Sequence, residues 1–220
     1  NFINEDKSKL NIGITDDFGV LACDPEVRNS INYAEKILIE MGHNVERVYP
    51  DVSEAEETFQ ILRAHLLATD KRELYNQHKN VLKEDLRLNI EKGLNLSEEQ
   101  ISKANIARGK IIKNTNLYFQ NYDFLVAPSA MVAPFNIKEH WPKKVENKIF
   151  DNYVSWLMTA AAISLTACPS LSVPCSNSIN NLPIGIQIVG RRRHEGAVLN
   201  IGHKFQKYSN NYGITPIEPK

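Results

Sequence analysis

The cysteines are the first candidates for chemistry, because a cysteine thiolate is an effective nucleophile. The chain has three, Cys23, Cys168 and Cys175. Cys175 lies between Pro174 and Ser176, where a strand is expected to end. A catalytic cysteine needs a nearby cation, histidine or helix N-terminus to lower its thiol pKa, and the sequence around Cys175 offers none. A nucleophilic role for Cys175 stays open, but we expect it and Cys168 to be packed and inert.

A glycine pair near the C-terminus has the spacing of a phosphate-binding loop. Four residues separate Gly185 from Gly190, but Arg191 and Arg192 stand where such a loop carries Lys and then Ser or Thr. The intervening residues are mostly apolar, which is typical of a buried strand and not of a flexible loop with free amides. Residues 191–193, all Arg, leave two interpretations open, an anion site or a solvated turn, and we expect the turn.

The histidines and cysteines do not have the spacing of metal ligands. The six histidines are scattered, at positions 43, 65, 78, 140, 194 and 203. No CxxC pair occurs, and no Cys or His cluster has zinc spacing. The GxGxxG, GxSxG and HExxH motifs are also absent from the sequence. We therefore expect no metal site and no cofactor.

Composition places the chain among ordinary globular proteins. Of 220 residues, 42% are hydrophobic and 24% are charged, and 26 basic side chains balance 26 acidic ones. A general nucleic-acid-binding protein carries a basic excess, so we expect no nucleic-acid partner. The longest apolar stretch, residues 156–163, is too short to span a bilayer, and the first residues form no signal core. With three widely spread cysteines, these features favour the cytoplasm and no membrane partner.

The first fifty residues show the pattern of a strand, a helix and a second strand. Residues 9–14 alternate apolar and polar side chains. Residues 24–26, Asp-Pro-Glu, are a helix-start signal, and Gly42 is placed to end that helix in the left-handed conformation. Residues 43–50 alternate again, so we expect a parallel pair of strands.

Residues 51–121 change to a helical pattern. Apolar residues recur at helical intervals among many charges, and Pro is absent from 52 to 127. Ser97 and Gln100 form a capping box at the start of a helix. We expect two or three helices, with a break near Gly93, as a helical insert that covers or flanks a sheet.

Residues 122–220 carry the strongest turn signals. We expect a strand at residues 122–129, a Pro-rich loop at 130–148 and a helix at 149–163. A hairpin of strands 170–174 and 183–189 follows, then a closing helix from about His194 and an extended tail at 215–220. The whole pattern predicts an α/β fold, in which a mixed β-sheet is flanked by helices and carries the helical insert.

Three segments, taken in chain order, resemble the amidase signature family. They are residues 122–129 with 134–135, Trp156 with residues 164–175, and residues 182–190 with Glu195 and Leu199. In the family these positions read "YD-apolar-P(T/S)…P-aromatic", "W…NLTGxPAxSVPCG" and "LPVGLQLVG….E..LL". The resemblance covers nearly the whole chain, thins through the helical stretch, and implies the α/β/α fold of that family.

The resemblance implies an amide-cleaving enzyme whose catalytic residues are not in this chain. The family uses a Ser nucleophile, a bridging Ser and a Lys base, all in its N-terminal half. No Gly-Gly-Ser-Ser run and no Ser-Ser pair occurs here, and the chain begins at Asn1 without Met. We expect residues 1–220 to be the C-terminal part of an amidase signature domain, with the N-terminal half of the same enzyme as its partner.

By the same resemblance, the chain supplies walls of the substrate pocket. The candidate residues are Pro128, Ser129, Trp141, Val154, Leu157, Met158 and Gln187. Plain core packing is the alternative for the three residues on the predicted helix, and a structural hydrogen bond is the alternative for Gln187. Trp141 is expected either to cap the pocket mouth or to be a surface aromatic.

The implied substrate is a small or apolar carboxamide, hydrolysed to an acid and ammonia or an amine. Ser164, Ala167 and Ser176 replace the motif's Asn, Gly and Gly, so the tight turns there are expected to differ. The tRNA-dependent amidotransferase branch is expected to hold its substrate ammonium with an acidic residue where Leu157 stands. An apolar wall does not stabilise a buried ammonium, so hydrolysis is favoured. Two alternative functions stay open: the chain is part of the amidase-like subunit of a tRNA-dependent amidotransferase, or it is a non-catalytic binding or scaffold module. A homodimer also stays open.

Overall fold

The computed structural model describes residues 9–209, so the predicted tail at 215–220 lies outside the described residues. The elements, in chain order, are β1 (Asn11–Ile14), α1 (Pro25–Glu40), β2 (Asn44–Glu46), α2 (Ala55–Asp70), α3 (Arg72–His78), α4 (Glu84–Leu94), α5 (Glu98–Tyr118), β3 (Phe124–Pro128), β4 (Lys144–Val145), β5 (Lys148–Ile149), a 3₁₀ turn (Ser155–Leu157), α6 (Met158–Leu165), β6 (Ser170–Asn177), β7 (Pro183–Gly190) and α7 (Glu195–Tyr208).

Within residues 9–209, the central sheet is mixed and has five strands in the order β2-β1-β3-β7-β6. β1 runs parallel to both β2 and β3, whereas β7 runs antiparallel to both β3 and β6. One core packs α1 and α7 against the face that carries Ile12, Ile186 and Ile188. A second core packs α2, α5 and α6 against the face that carries Leu125 and Val189. The predicted α/β fold with a flanked mixed sheet is therefore confirmed.

The first strand–helix–strand unit forms as its sequence signals predict. The Asp24 carboxylate accepts a hydrogen bond from the Glu26 N–H at 2.8 Å, and Pro25 occupies the first turn, where it needs no N–H partner. Gly42 has a φ of +90°, in the left-handed region that favours glycine after a helix. β1 and β2 pair in parallel, although β2 is shorter than the predicted 43–50.

The helical insert contains four helices, α2 to α5, and not the predicted two or three. The expected break near Gly93 is also displaced, because α4 continues through Gly93 and ends at Leu94. Gly93 lies inside the helix because α2 crosses there so closely that a Cβ would overlap the Ala64 carbonyl. Glycine is thus used for close packing at this position and not as a helix end.

The predicted helix at 149–163 is wrong in its first half. Ile149 belongs to β5, which pairs with β4, and α6 begins only at Met158. The Asn152 side-chain oxygen accepts hydrogen bonds from the Val154 and Ser155 N–H groups, at 2.9 and 3.2 Å. This local side-chain bonding competes with helix formation, so a turn and a 3₁₀ segment precede the helix and Val154 lies outside it.

Helix α5 begins at the predicted capping box. The Ser97 hydroxyl accepts from the Gln100 N–H at 3.2 Å, and the Gln100 side-chain carbonyl oxygen accepts from the Ser97 N–H at 2.9 Å. We expect Ser97→Ala to lower the free energy of unfolding by about 1 kcal/mol, measured by urea denaturation. Ser102→Ala, on an exposed position of the same helix, is the matched control and is expected to cause no loss. Equal stability of the two variants would contradict a stabilising role for the cap.

Candidate functional site

A cleft of about 240 Å³ opens where β3 ends and β7 begins. Its lining residues are Ser129, Ala130, Val132, Ala133, Pro134, Phe135, Trp156, Pro183, Ile184 and Gly185. None of these side chains carries a charge, and only the Ser129 hydroxyl and the Trp156 indole offer a polar side-chain group. The cleft is therefore suited to an uncharged and largely apolar group.

Two serine hydroxyls form a pair beside this cleft. Ser129 Oγ lies 2.7 Å from Ser172 Oγ, across β7 and over Gly185. The Ser129 N–H also donates to the Gly185 carbonyl at 3.2 Å, which extends the β3–β7 ladder by one residue. A Cβ on Gly185 would lie 3.1 Å from Ser129 Oγ and 3.3 Å from Ser172 Oγ. Glycine at this position leaves room for the two hydroxyls to meet.

Gln187 lies on the same face of the sheet and is buried, with 6% of its surface exposed. Its side-chain amide donates to the Pro128 carbonyl at 2.9 Å and to the Thr159 carbonyl at 3.2 Å. Its side-chain oxygen accepts from the Ser170 hydroxyl at 3.1 Å. Because both amide hydrogens are already engaged, this geometry supports the structural role for Gln187. The amide joins β3, β6, β7 and α6 beneath the cleft.

An aromatic cluster forms the outer wall of the cleft. The Phe135 and Trp156 rings meet edge to face, with centroids 5.6 Å apart and planes at 88°. Tyr153 also packs edge to face against Trp156, with centroids 6.0 Å apart. The Trp156 Nε1 is buried and has no hydrogen-bond partner among the described residues. Trp156 was predicted as part of a family motif but not as a pocket residue, and no local signal in the sequence marks its contact with Phe135.

Of the seven predicted pocket residues, all within the described part of the chain, the structure places one in the lining of this cleft. Ser129 lines it, and Pro128 directly precedes Ser129 at the end of β3. Val154 and Met158 are buried, and Met158 belongs to the core that contains α6. Leu157 lies on the 3₁₀ turn and is partly buried. Plain core packing thus accounts for Val154 and Met158, while their role as pocket walls stays a prediction.

Trp141 is buried and not a surface aromatic. It is 8% exposed and belongs to the same core as α6. The Lys143 ammonium lies 3.3 Å from the centroid of the Trp141 ring, a cation–π contact. Trp141 does not line the cleft beside Ser129, so its place at a pocket mouth stays a prediction.

The cysteines are unsuited to nucleophilic chemistry. Burial raises the pKa of Cys175 to about 11 and that of Cys23 to about 12, and it also raises the pKa of Cys168. The Cys175 thiol donates to the Ser30 carbonyl at 3.4 Å. A thiol with a raised pKa is protonated at neutral pH and therefore a weak nucleophile. The raised pKa values agree with the expectation that Cys168 and Cys175 are inert.

The Amidase family model matches residues 1–199 of the chain. The chain belongs to the amidase signature family. Within residues 9–209, no helix has the length and apolar character needed to cross a bilayer. In the same part of the chain, no group of three or more His, Cys, Asp or Glu side chains is placed to hold a metal ion.

Curated relatives of this amidase signature chain include the A subunit of glutamyl-tRNA(Gln) amidotransferase. The protein from Brevibacillus brevis is 27% identical over 96% of this chain and 47% of its own length. The protein from Thermotoga maritima is 28% identical over 98% of this chain and 49% of its own length. The chain thus spans about half the length of the curated relatives it matches.

Two solved structures share the fold of this chain. A bacterial aryl acylamidase of the amidase signature family superposes with a TM-score of 0.82 at 22% identity, over 94% of this chain and 45% of that one. The 6-aminohexanoate cyclic dimer hydrolase superposes with a TM-score of 0.76 at 16% identity, over 94% and 46% of the two chains. At these identities the likeness establishes the fold alone.

Proposed function

We propose that this chain is the C-terminal part of an amidase signature hydrolase, which cleaves a small or apolar carboxamide to an acid and ammonia or an amine. The observation that carries the proposal is the cleft beside Ser129, whose lining side chains are uncharged and mostly apolar. Such a cleft binds an apolar group by removing its surface from water. It favours a neutral amide over a charged substrate, because a buried charge needs a partner.

Within this proposal, the chain binds the substrate and the N-terminal half performs the chemistry. Amide cleavage requires a nucleophile, a base and an oxyanion hole, held in fixed geometry around the scissile carbonyl. The cysteines here have raised pKa values, and Ser129 is paired with another serine hydroxyl and not with a base. A family member would therefore take its Ser-Ser-Lys triad from the half that this chain does not contain, without a cofactor.

The edge of the sheet at β6 supports a partner on that side. β6 is the outermost strand and pairs only with β7 within the described part of the chain. Ser170, Ser172 and Pro174 are exposed there, on the face that carries the cleft. Among residues 9–209, no strand lies along the outer side of this eight-residue strand, and an edge strand of this kind can pair with another strand. We propose the N-terminal half of the same enzyme as that partner, in the cytoplasm, and a homodimer as a further assembly.

The amidotransferase branch is the second candidate function. The names of the curated relatives favour it, since the relatives from Brevibacillus brevis and Thermotoga maritima are both glutamyl-tRNA(Gln) amidotransferase proteins. Leu157 argues against it, because the family resemblance places an apolar side chain where that branch is expected to hold an ammonium. A non-catalytic module with this fold is the third candidate. Amide hydrolysis by the assembled protein would exclude it.

The chain alone is expected to be inactive on amides. The experiment compares residues 1–220 with the same chain joined to, or produced together with, the N-terminal half, and measures ammonia release from acetamide, hexanamide and benzamide. We expect release only from the assembled protein. Turnover by purified residues 1–220 would contradict the proposal. Release of ammonia from glutamine, without hydrolysis of the three simple amides, would favour the amidotransferase branch. No activity on glutamine or on these amides would favour the non-catalytic module.

A further inference from the structure

The serine pair beside the cleft has one hydrogen more than its own hydrogen bond uses. Each hydroxyl has a single O–H donor and two acceptor lone pairs. Ser129 Oγ and Ser172 Oγ share one hydrogen bond of 2.7 Å, in which either oxygen can be the donor. When Ser172 donates, the Ser129 O–H has no other acceptor within residues 9–209. Because Ser129 lines the cleft and Ser172 does not, that hydrogen is available to a molecule bound in the cleft.

The remaining walls of the cleft are suited to an aromatic ring. Phe135 and Trp156 form an edge-to-face pair there, and aromatic groups gain further stabilisation by joining such a cluster. The cleft volume of about 240 Å³ exceeds the roughly 150 Å³ of an apolar cavity that holds benzene. It lies below the range of about 300–1,000 Å³ that is usual for complete drug-sized ligands. The size fits one ring with a substituent.

We infer that the cleft binds an aromatic ring carrying a hydrogen-bond acceptor, such as a ring nitrogen, and that Ser129 donates its O–H to that acceptor. This inference rests on the proposed function, since it makes the ring a part of the amide substrate away from the scissile bond. Ser172 is then a positioning residue, which donates to Ser129 and turns the Ser129 hydrogen toward the cleft. The cleft then prefers a ring with an acceptor over one without, because a ring without an acceptor leaves the Ser129 O–H unpaired.

Pyridine and benzene test this inference as a matched pair of probes, because they differ at one ring atom. Binding to residues 1–220 at pH 8, where pyridine is uncharged, is followed by the NMR signals of the two indole N–H groups. Trp141→Phe assigns the two signals. We expect the Trp156 signal to shift saturably with both probes, while the Trp141 signal stays unchanged. A shift of neither indole signal, or of Trp141 alone, would overturn the inference.

Ser129→Ala separates the hydrogen bond from ring binding. We expect the ratio of pyridine affinity to benzene affinity to fall about fivefold in Ser129→Ala, the effect of one hydrogen bond, with benzene affinity within about twofold of the wild type. Ser172→Ala is expected to give a smaller fall, and the exposed Ser102→Ala on α5 none. An unchanged ratio in Ser129→Ala would overturn the inference. Because no turnover is measured, this result is independent of the amide-hydrolysis assay.

Discussion

Gly93→Ala is expected to lower the free energy of unfolding by about 2 kcal/mol, although alanine is the better helix former. Gly93 lies in α4 at its crossing with α2. A Cβ there would overlap the Ala64 carbonyl and lie 2.7 Å from Ala68 Cβ. The backbone of α2 cannot rotate away as a side chain would, so the two helices must separate. Overpacking of this kind costs about 1–3 kcal/mol.

Gly109→Ala is the matched control for this variant. Gly109 lies in α5, is exposed, and has nothing within 4 Å of the position that a Cβ would take. The same substitution is expected to raise the free energy of unfolding there by about 0.5–1 kcal/mol. Thermal denaturation therefore should move the two melting temperatures in opposite directions. A stabilised Gly93→Ala variant would contradict the close helix crossing.

The sequence was sufficient where local chemistry decides the structure. The Asp24 cap, the Pro25 first turn and the left-handed Gly42 each act within a few residues, and all three are present. The Ser97 capping box is equally local. The hairpin of β6 and β7 also forms as predicted, since its polar connection joins two strands of suitable pattern.

The sequence pattern was insufficient to predict the structure where side-chain hydrogen bonds or contacts between distant elements determine it. The apolar run near residue 156 has the composition of a helix, but Asn152 bonds to the backbone and the helix begins later. Gly93 is a residue type that often ends a helix, but here its role is to make room for α2, which lies about thirty residues earlier in the chain.

The candidate site shows the same division. Ser129 and Gln187 were predicted from family motifs, and Ser129 lines the cleft. The pairing of Ser129 with Ser172 spans 43 residues and depends on the register of three strands. The Phe135–Trp156 contact depends on the path of an irregular loop. Neither contact has a local signal in the sequence, so the cleft could be identified only in three dimensions.

Gln187→Leu is expected to be the most damaging single substitution at the site, with a loss of about 3 kcal/mol in the free energy of unfolding. Leucine has a similar size but donates nothing, so the Pro128 and Thr159 carbonyls lose the hydrogen bonds that Gln187 gives them. Buried carbonyls without their donors cost about 1–3 kcal/mol each. Urea denaturation of residues 1–220 measures the loss.

Ser170→Ala is the control, because it removes only the hydrogen bond to the Gln187 side-chain oxygen, at an exposed residue. We expect Ser170→Ala to lower the free energy of unfolding by less than about 1 kcal/mol. The double variant Ser170→Ala/Gln187→Leu is expected to match Gln187→Leu in stability to within a few tenths of a kcal/mol, because Gln187→Leu has already removed the bond between the two side chains. If Gln187→Leu unfolds at the same urea concentration as the wild type, the amide is not a structural link.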